Sequence, residues 1–555
     1  MFKSPGQGSM ELSDAVLIKQ RRNSLSLVCS SPPEILQYIF DFYVNSEDWT
    51  LICGYRGLPA TVLLSHVCSC WREVCLDDCR LWSCISLVLP RQWALEYFKR
   101  SGESPLRLSF LLEKHRGSDM AQMAVHAMHR IRCLNVHGSA EHLQTFLNSL
   151  IDTPAPILAT FFLFHSQVND AVPGNPSLVR VPTDIFARTA PRLQHVMLDD
   201  IWLRKIPVQA FLHLRYLSSP FSALEGVWRL LQAPRQLKIL HCYVSSASDQ
   251  RHPRPPLNTA HLHKRIYAFS LTNLVIYNAE FTKLFKLLEA LVAPSLAQIA
   301  VIGLAATPSD IAHCAPVVAR ALSPHARILR QIHGPIHELT LEESSVTCWP
   351  IPRNGDHFAD FAPFGVEWGR GSFPEDAQTE PLFDGILDAL PLEDVHTLVL
   401  RDFCGISNCL HALSNVTELN YSTPWALDTL YLLQAMLPKH RRFDLVGEIP
   451  PSQEEVLFPQ LTRLTFTCMY IATHGGIFLH VLRRLAQIRQ PDGEEGLEID
   501  FRDCPYSAAI MVELKKYSVV TWNGGWCPPF SFGGLGEDPA LENWDYWGSV
   551  FDELW

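Results

Sequence analysis

Apolar residues return at positions 1, 4 and 6 of a six-residue window along most of the chain. The copies begin with IRCLNV (Ile131, Leu134, Val136), LATFFL (Leu158, Phe161, Leu163), LQHVML (Leu193, Val196, Leu198), LKILHC (Leu237, Leu240, Cys242) and LTNLVI (Leu271, Leu274, Ile276). They continue with LAQIAV (Leu296, Ile299, Val301), IHELTL (Ile336, Leu339, Leu341), VHTLVL (Val395, Leu398, Leu400), VTELNY (Val416, Leu419, Tyr421) and LTRLTF (Leu461, Leu464, Phe466). Positions 4 and 6 lie two residues apart and share one face of a strand. Between copies run stretches of helical periodicity, among them residues 281–294, 427–440 and 477–490. One strand and one helix per unit predicts an α/β fold in which each unit buries its apolar side only against its neighbours.

The densest apolar cluster lies before the repeats, in SPPEILQYIFDFYV (residues 31–44) and LLSHVCSCWREVCLDDCRLWSCISL (residues 63–87). Pro32 and Pro33 suit the first turn of a helix, Ser31 suits its N-cap, and Glu34 lies at its positive end. Ile35, Leu36, Ile39, Phe40 and Tyr43 then follow at helical spacing. A second helix is predicted over residues 59–78, with Leu63, Val67, Trp71 and Val74 on one face and Leu64 and Cys68 beside them. Leu81, Trp82, Ile85 and Leu87 form a third apolar group. Three short helices cannot bury all of this internally, because so small a unit leaves much of its surface exposed. The surplus requires a partner or the rest of the chain.

The order P-P-E-I-L-x-x-I-F, a variable loop, L-L-S-H-V-C-x-x-W-R-x-V and R-L-W-S-x-I-S-L resembles the F-box, in the form common among basidiomycete fungal F-box proteins. The resemblance covers residues 31–87 and departs from the family at Ser31, where leucine is usual, and in a long loop at residues 45–61. It implies a three-helix module that docks on the Skp-type adaptor of an SCF cullin-RING ubiquitin ligase, while the rest of the chain holds a protein substrate. The positions it marks as adaptor-facing are Pro32, Pro33, Ile35, Leu36, Ile39, Phe40, Val67, Cys68, Trp71, Leu81 and Trp82. Some of these must instead form the module's own core, and the spacing does not separate the two groups. The alternative is that the helices only cap a repeat scaffold.

The hexad units resemble degenerate leucine-rich repeats: their spacing is irregular and the consensus Asn or Cys is mostly missing. An ordinary α/β domain also alternates strand and helix. The predicted organisation is an unstructured lead at 1–30, an F-box module at 31–90, and an irregular leucine-rich-repeat-like α/β solenoid at 91–520. Loops interrupt the solenoid at about 245–265 and 342–380, and 521–555 is a cap or an acidic aromatic tail. In the second loop Trp349, Phe358, Phe361, Phe364 and Trp368 serve either as partner anchors or as local packing.

Composition narrows the picture. A formal charge of −11, from 57 acidic and 46 basic residues, argues against nucleic acid or anionic lipid as the main partner. The best apolar run, residues 295–306, is too short to cross a bilayer. The N-terminus lacks the apolar region of a secretory signal, so an intracellular place, cytoplasmic or nuclear, is expected, with the 16 cysteines reduced. The sequon at Asn415 then reports no glycosylation.

Candidate chemistry is sparse. There is no phosphate loop, nucleophile elbow, zinc-protease helix or kinase set. The HGG at residues 474–476 reads as a turn, and Glu393 and Asp394 as a solvated turn. Cys68, Cys70, Cys75, Cys79 and Cys84 lack the paired C-x2-C spacing of a zinc site. No catalytic residue, metal or cofactor is therefore expected, and the chain reads as a non-enzyme.

Overall fold

The computed structural model describes residues 17–18, 21–23, 25–46, 59–86, 89–112, 115–166, 179–203, 208–221, 223–233, 236–244, 264–304, 308–311, 313–342, 344–350, 362–368, 380–401, 408–422, 426–438, 456–467, 475–489, 496–504 and 508–523. The chain divides into two compact units, Met1–Leu240 and His241–Trp555. The fold is mixed α/β, with mostly parallel strands.

In the first unit the helices α1 (Pro33–Ser46), α2 (Ala60–Ser65), α3 (Ser69–Asp77) and α4 (Arg91–Arg100) precede most of the strands. The parallel sheet runs in chain order through β1 (Cys84–Ile85), β2 (Leu106–Leu111), β3 (Ile131–Gly138), β4 (Thr160–His165), β5 (His195–Asp199) and β6 (Tyr216–Phe221). Helix α5 (His115–His126) joins β2 to β3, α6 (Ala140–Ser149) joins β3 to β4, and α7 (Leu224–Gln232) follows β6.

In the second unit β7 (Asn273–Tyr277) pairs parallel with β8 (Gln298–Ile302), which pairs parallel with β11 (Phe364–Glu367). Between β11 and β9 (Glu338–Glu342) lies β10 (Ser345–Trp349), antiparallel to both. The ladder then resumes parallel from β9 through β12 (Thr397–Arg401), β13 (Glu418–Ser422), β14 (Arg463–Thr467), β15 (Glu498–Arg502) and β16 (Val519–Asn523). The intervening helices include Phe281–Ala290, Ala315–His333, Glu380–Ala389, Ala426–Ala435 and Gly475–Ile488.

Each of the ten hexads lies on a strand, LKILHC on Ile239–Val244. Their residues at positions 4 and 6 are without exception 0 or 1% exposed. Register explains this: Phe161 stands between Leu134 and Val196, and Leu398 between Leu339 and Leu419, so apolar residues stack along the ladder. The backbone repeats with them. The position-two amide of Ala159 donates to the carbonyl of Arg132 at 2.8 Å, that of Gln194 to Ala159 at 2.9 Å, and that of Arg215 to Gln194 at 2.8 Å. Arg215 belongs to a copy that the apolar pattern misses, LRYLSS, because its sixth position is Ser219. That serine is fully buried, and its hydroxyl is satisfied by the Pro220 carbonyl at 3.2 Å.

Several expectations are corrected. The expected loop at 342–380 contains β10 and β11, because Val346, Cys348, Phe364 and Val366 alternate into the core as strand residues do. Trp368 and Phe364 are buried there, with Trp368 edge-on to Phe383 at 4.9 Å, so these two rings pack locally; Phe358 and Phe361 lie outside the described residues. Trp522, assigned to the tail from 521, belongs to β16 and stacks on Phe501 at 4.4 Å. The remainder of that segment, 524–555, and residues 245–263 of the first loop lie outside the described residues. Gly475 and Gly476 open a helix instead of forming a turn. Glu393 and Asp394 do form a solvent-accessible turn, as expected. Both pair with Arg330, Asp394 at 2.7 Å, and a backbone hydrogen bond followed by that guanidinium holds the Glu393 carboxyl below its ordinary range.

Candidate functional site

The sequence-marked positions fall on α1, α2–α3 and the 3-10 turn Cys79–Trp82, and local chemistry explains how they are placed. α1 begins at Pro33, with the Pro32 carbonyl accepting from the amides of Ile35 at 3.0 Å and Leu36 at 3.3 Å. Ser31 does not cap it: its hydroxyl donates back to the Leu27 carbonyl at 3.1 Å. The lead is accordingly ordered just before α1, where residues 25–30 form turns and the Cys29 and Cys68 sulfurs approach to 3.8 Å.

The predicted single helix over 59–78 is two. α2 closes at His66, and Cys68, in extended backbone, opens α3 by accepting the Trp71 amide on its sulfur at 3.4 Å. The break turns α3 so that Trp71 meets Phe40, ring centroids 4.8 Å apart. Asp78 then caps the 3-10 turn, accepting from the Arg80 amide at 3.0 Å and pairing with its guanidinium at 2.7 Å.

Burial divides the eleven marked residues. Leu36, Phe40, Leu81 and Trp82 are interior, so they form the module's core and offer no surface. Trp82 is fixed from both sides: its Nε1 donates to the Cys75 carbonyl at 2.6 Å, Tyr97 of α4 lies edge-on at 4.8 Å, and the Arg100 guanidinium stands 4.5 Å over the ring. Burial, followed by the nearby Asp78 charge, pushes the Cys75 thiol up to about 11. Cys68 and Trp71 are half-buried, and the Trp71 Nε1 is enclosed without a hydrogen-bond partner. Pro32, Pro33, Ile35, Ile39 and Val67 are exposed.

The exposed set is joined by residues that the sequence reading did not mark. Tyr38 is 74% exposed and Phe42 71%, and Tyr43, Leu63 and Leu76 are also exposed. The signal for Tyr38 and Phe42 was present: α1 is apolar nearly all round, broken mainly by Glu34, Gln37, Asp41 and Asn45. A helix apolar on every side is normally enclosed on every side. Here only the Leu36 and Phe40 side is enclosed, and large aromatic and aliphatic residues remain exposed on the other.

Among the described residues no group of three or more His, Cys, Asp or Glu side chains could hold a metal ion, and no helix is long and apolar enough to cross a membrane. No family model matches the chain, and no curated protein matches it.

Proposed function

We propose that the chain is a substrate receptor of an SCF-type cullin-RING ubiquitin ligase. In this reading the N-terminal helices are an F-box that docks on the Skp-type adaptor, and the strand-and-helix units are degenerate leucine-rich repeats, forming an irregular solenoid that holds a protein target inside the cell. The chain contributes no catalytic residue or cofactor. It acts by raising the effective concentration of its target near a ubiquitin-loaded enzyme. The observation that carries the reading is the uncovered face of α1, where Ile35, Tyr38, Ile39 and Phe42 are each at least half exposed on a helix whose other side is sealed. The three-block sequence order supplies the kind of partner, and the in-register stacking of hexad positions 4 and 6 supports the repeat.

Ile39→Glu with Phe42→Glu tests it. Both residues are exposed, so the fold is kept, while two carboxylates in an apolar interface are strongly disfavoured. Capture of the Skp-type adaptor by the double variant is expected to fall at least about tenfold. Equal capture by wild type and variant rejects the face as a docking site.

A second reading, in which the helices cap a scaffold and bind nothing, is favoured by one observation: β1 pairs with β2, and Trp82 packs on Tyr97 of α4. Deleting residues 1–90 would remove β1 and Trp82 in either case and expose the edge of β2. Adaptor capture by the intact chain is therefore the discriminating measurement, and under the cap reading there is none.

A further inference from the structure

In a chain whose net charge is −11, one cleft of about 340 Å³ in the first unit is lined by four basic side chains and a single acid. Lys99 comes from the end of α4, Glu103 from the turn that follows, His126 from the last residue of α5, and His129 and Arg130 from the 3-10 turn Met128–Arg130. Arg130 is only 7% exposed. Its guanidinium donates to Ser101 Oγ at 3.2 Å, the Ser104 carbonyl at 3.1 Å and the Phe98 carbonyl at 3.5 Å, all neutral oxygens, and lies 4.6 Å over the Phe98 ring. Glu103 acts on it only through space, and burial works against its charge. A buried cation without a contacting anion is costly, and a bound anion offsets that cost.

Backbone carbonyls fix the tautomer of both histidines. His126 Nδ1 lies 2.8 Å from the Gln122 carbonyl and His129 Nδ1 3.2 Å from the His126 carbonyl. A carbonyl only accepts, so Nδ1 carries the proton in each ring and Nε2 is left for a ligand. Both rings line the cleft together with Lys99 and Arg130.

We propose that this cleft binds a dianion of the phosphate class, held by Lys99, His126, His129 and Arg130. The site uses none of the residues of the proposed docking face, so either can fail without the other. Sulfate is the first probe, because it is a fixed tetrahedral dianion of the phosphate shape. Equilibrium dialysis of labelled sulfate against the full chain, at constant ionic strength, is expected to give one saturable site.

His126→Gln with His129→Gln is expected to weaken binding at least about tenfold, and adding Lys99→Gln to abolish it. All three side chains are exposed, so the fold is kept. Unsaturable uptake, or undiminished binding by the triple variant, overturns the proposal. Competition then separates the source: a phosphoserine peptide that displaces sulfate better than both inorganic phosphate and its unphosphorylated parent assigns a protein-borne phosphate, and equal displacement by inorganic phosphate assigns the free ion.

Discussion

Phe42 and Phe161 lie in the same compact unit, yet one is 71% exposed and the other 0%. Phe161 sits on β4 with Leu134 on one side, Val196 on the other and the Phe186 ring edge-on at 5.1 Å. Phe42 sits on α1, whose fully buried residues among those described are Leu36 and Phe40. The residue type is the same; the number of neighbours differs. A ladder supplies every strand with a unit before and after it, whereas a cluster of short helices runs out of elements before it runs out of apolar surface. Aromatic residues such as Phe42 therefore stay exposed beside a close-packed ladder.

The comparison can be broken most directly by truncation. Phe161→Ala is expected to cost about 3–5 kcal/mol in denaturant unfolding. Phe42→Ala should stay within about 0.5 kcal/mol; a cost like that of Phe161 would mean that the chain covers α1 itself. Within α1, Leu36→Ala should cost about 2–3 kcal/mol, at the low end for a leucine because a small core relaxes, while Ile39→Ala should be close to neutral.

A smaller effect comes from the other face of the ladder, where His137 stacks on Phe164 at 4.6 Å. Burial lowers its pKa, so the folded chain prefers the neutral ring. Its contribution is fully present above the unfolded value of about 6.5 and is lost as pH falls through the folded one, at most about 1.4 kcal/mol per pH unit. His137→Gln should remove one proton's worth of that slope from the dependence of melting temperature on pH. The smallest effect belongs to the second unit, where Arg463 reaches Glu498 at 2.7 Å and Glu418 at 3.5 Å across β13–β15. Arg463→Met should cost at most about 1 kcal/mol, because all three side chains are partly solvated.

Period was the legible part of the fold. The strand at each hexad and the stretches of helix between them follow from apolar spacing, which backbone geometry fixes locally. LRYLSS was missed because a buried serine satisfied by a carbonyl looks polar in a sequence. β10 and β11 were missed because the turn residues around them outnumber the short alternating runs. In the N-terminal helices, the apolar excess of residues 31–87 was readable, but its division was not: Leu36 and Ile39 are both aliphatic and three residues apart, yet packing encloses the first and leaves the second exposed.

The amino-acid order alone fixed the strand at each hexad, the helical stretches between hexads and the apolar excess of the N-terminal helices, since periodicity and residue counts act over a few positions. Tertiary packing alone decided the reversal of β10, the closing of Trp82 under α4, the side of α1 left open, and the gathering of His126, His129, Lys99 and Arg130 around one cleft. These depend on contacts between residues far apart in the chain, whose cost or gain no local pattern encodes.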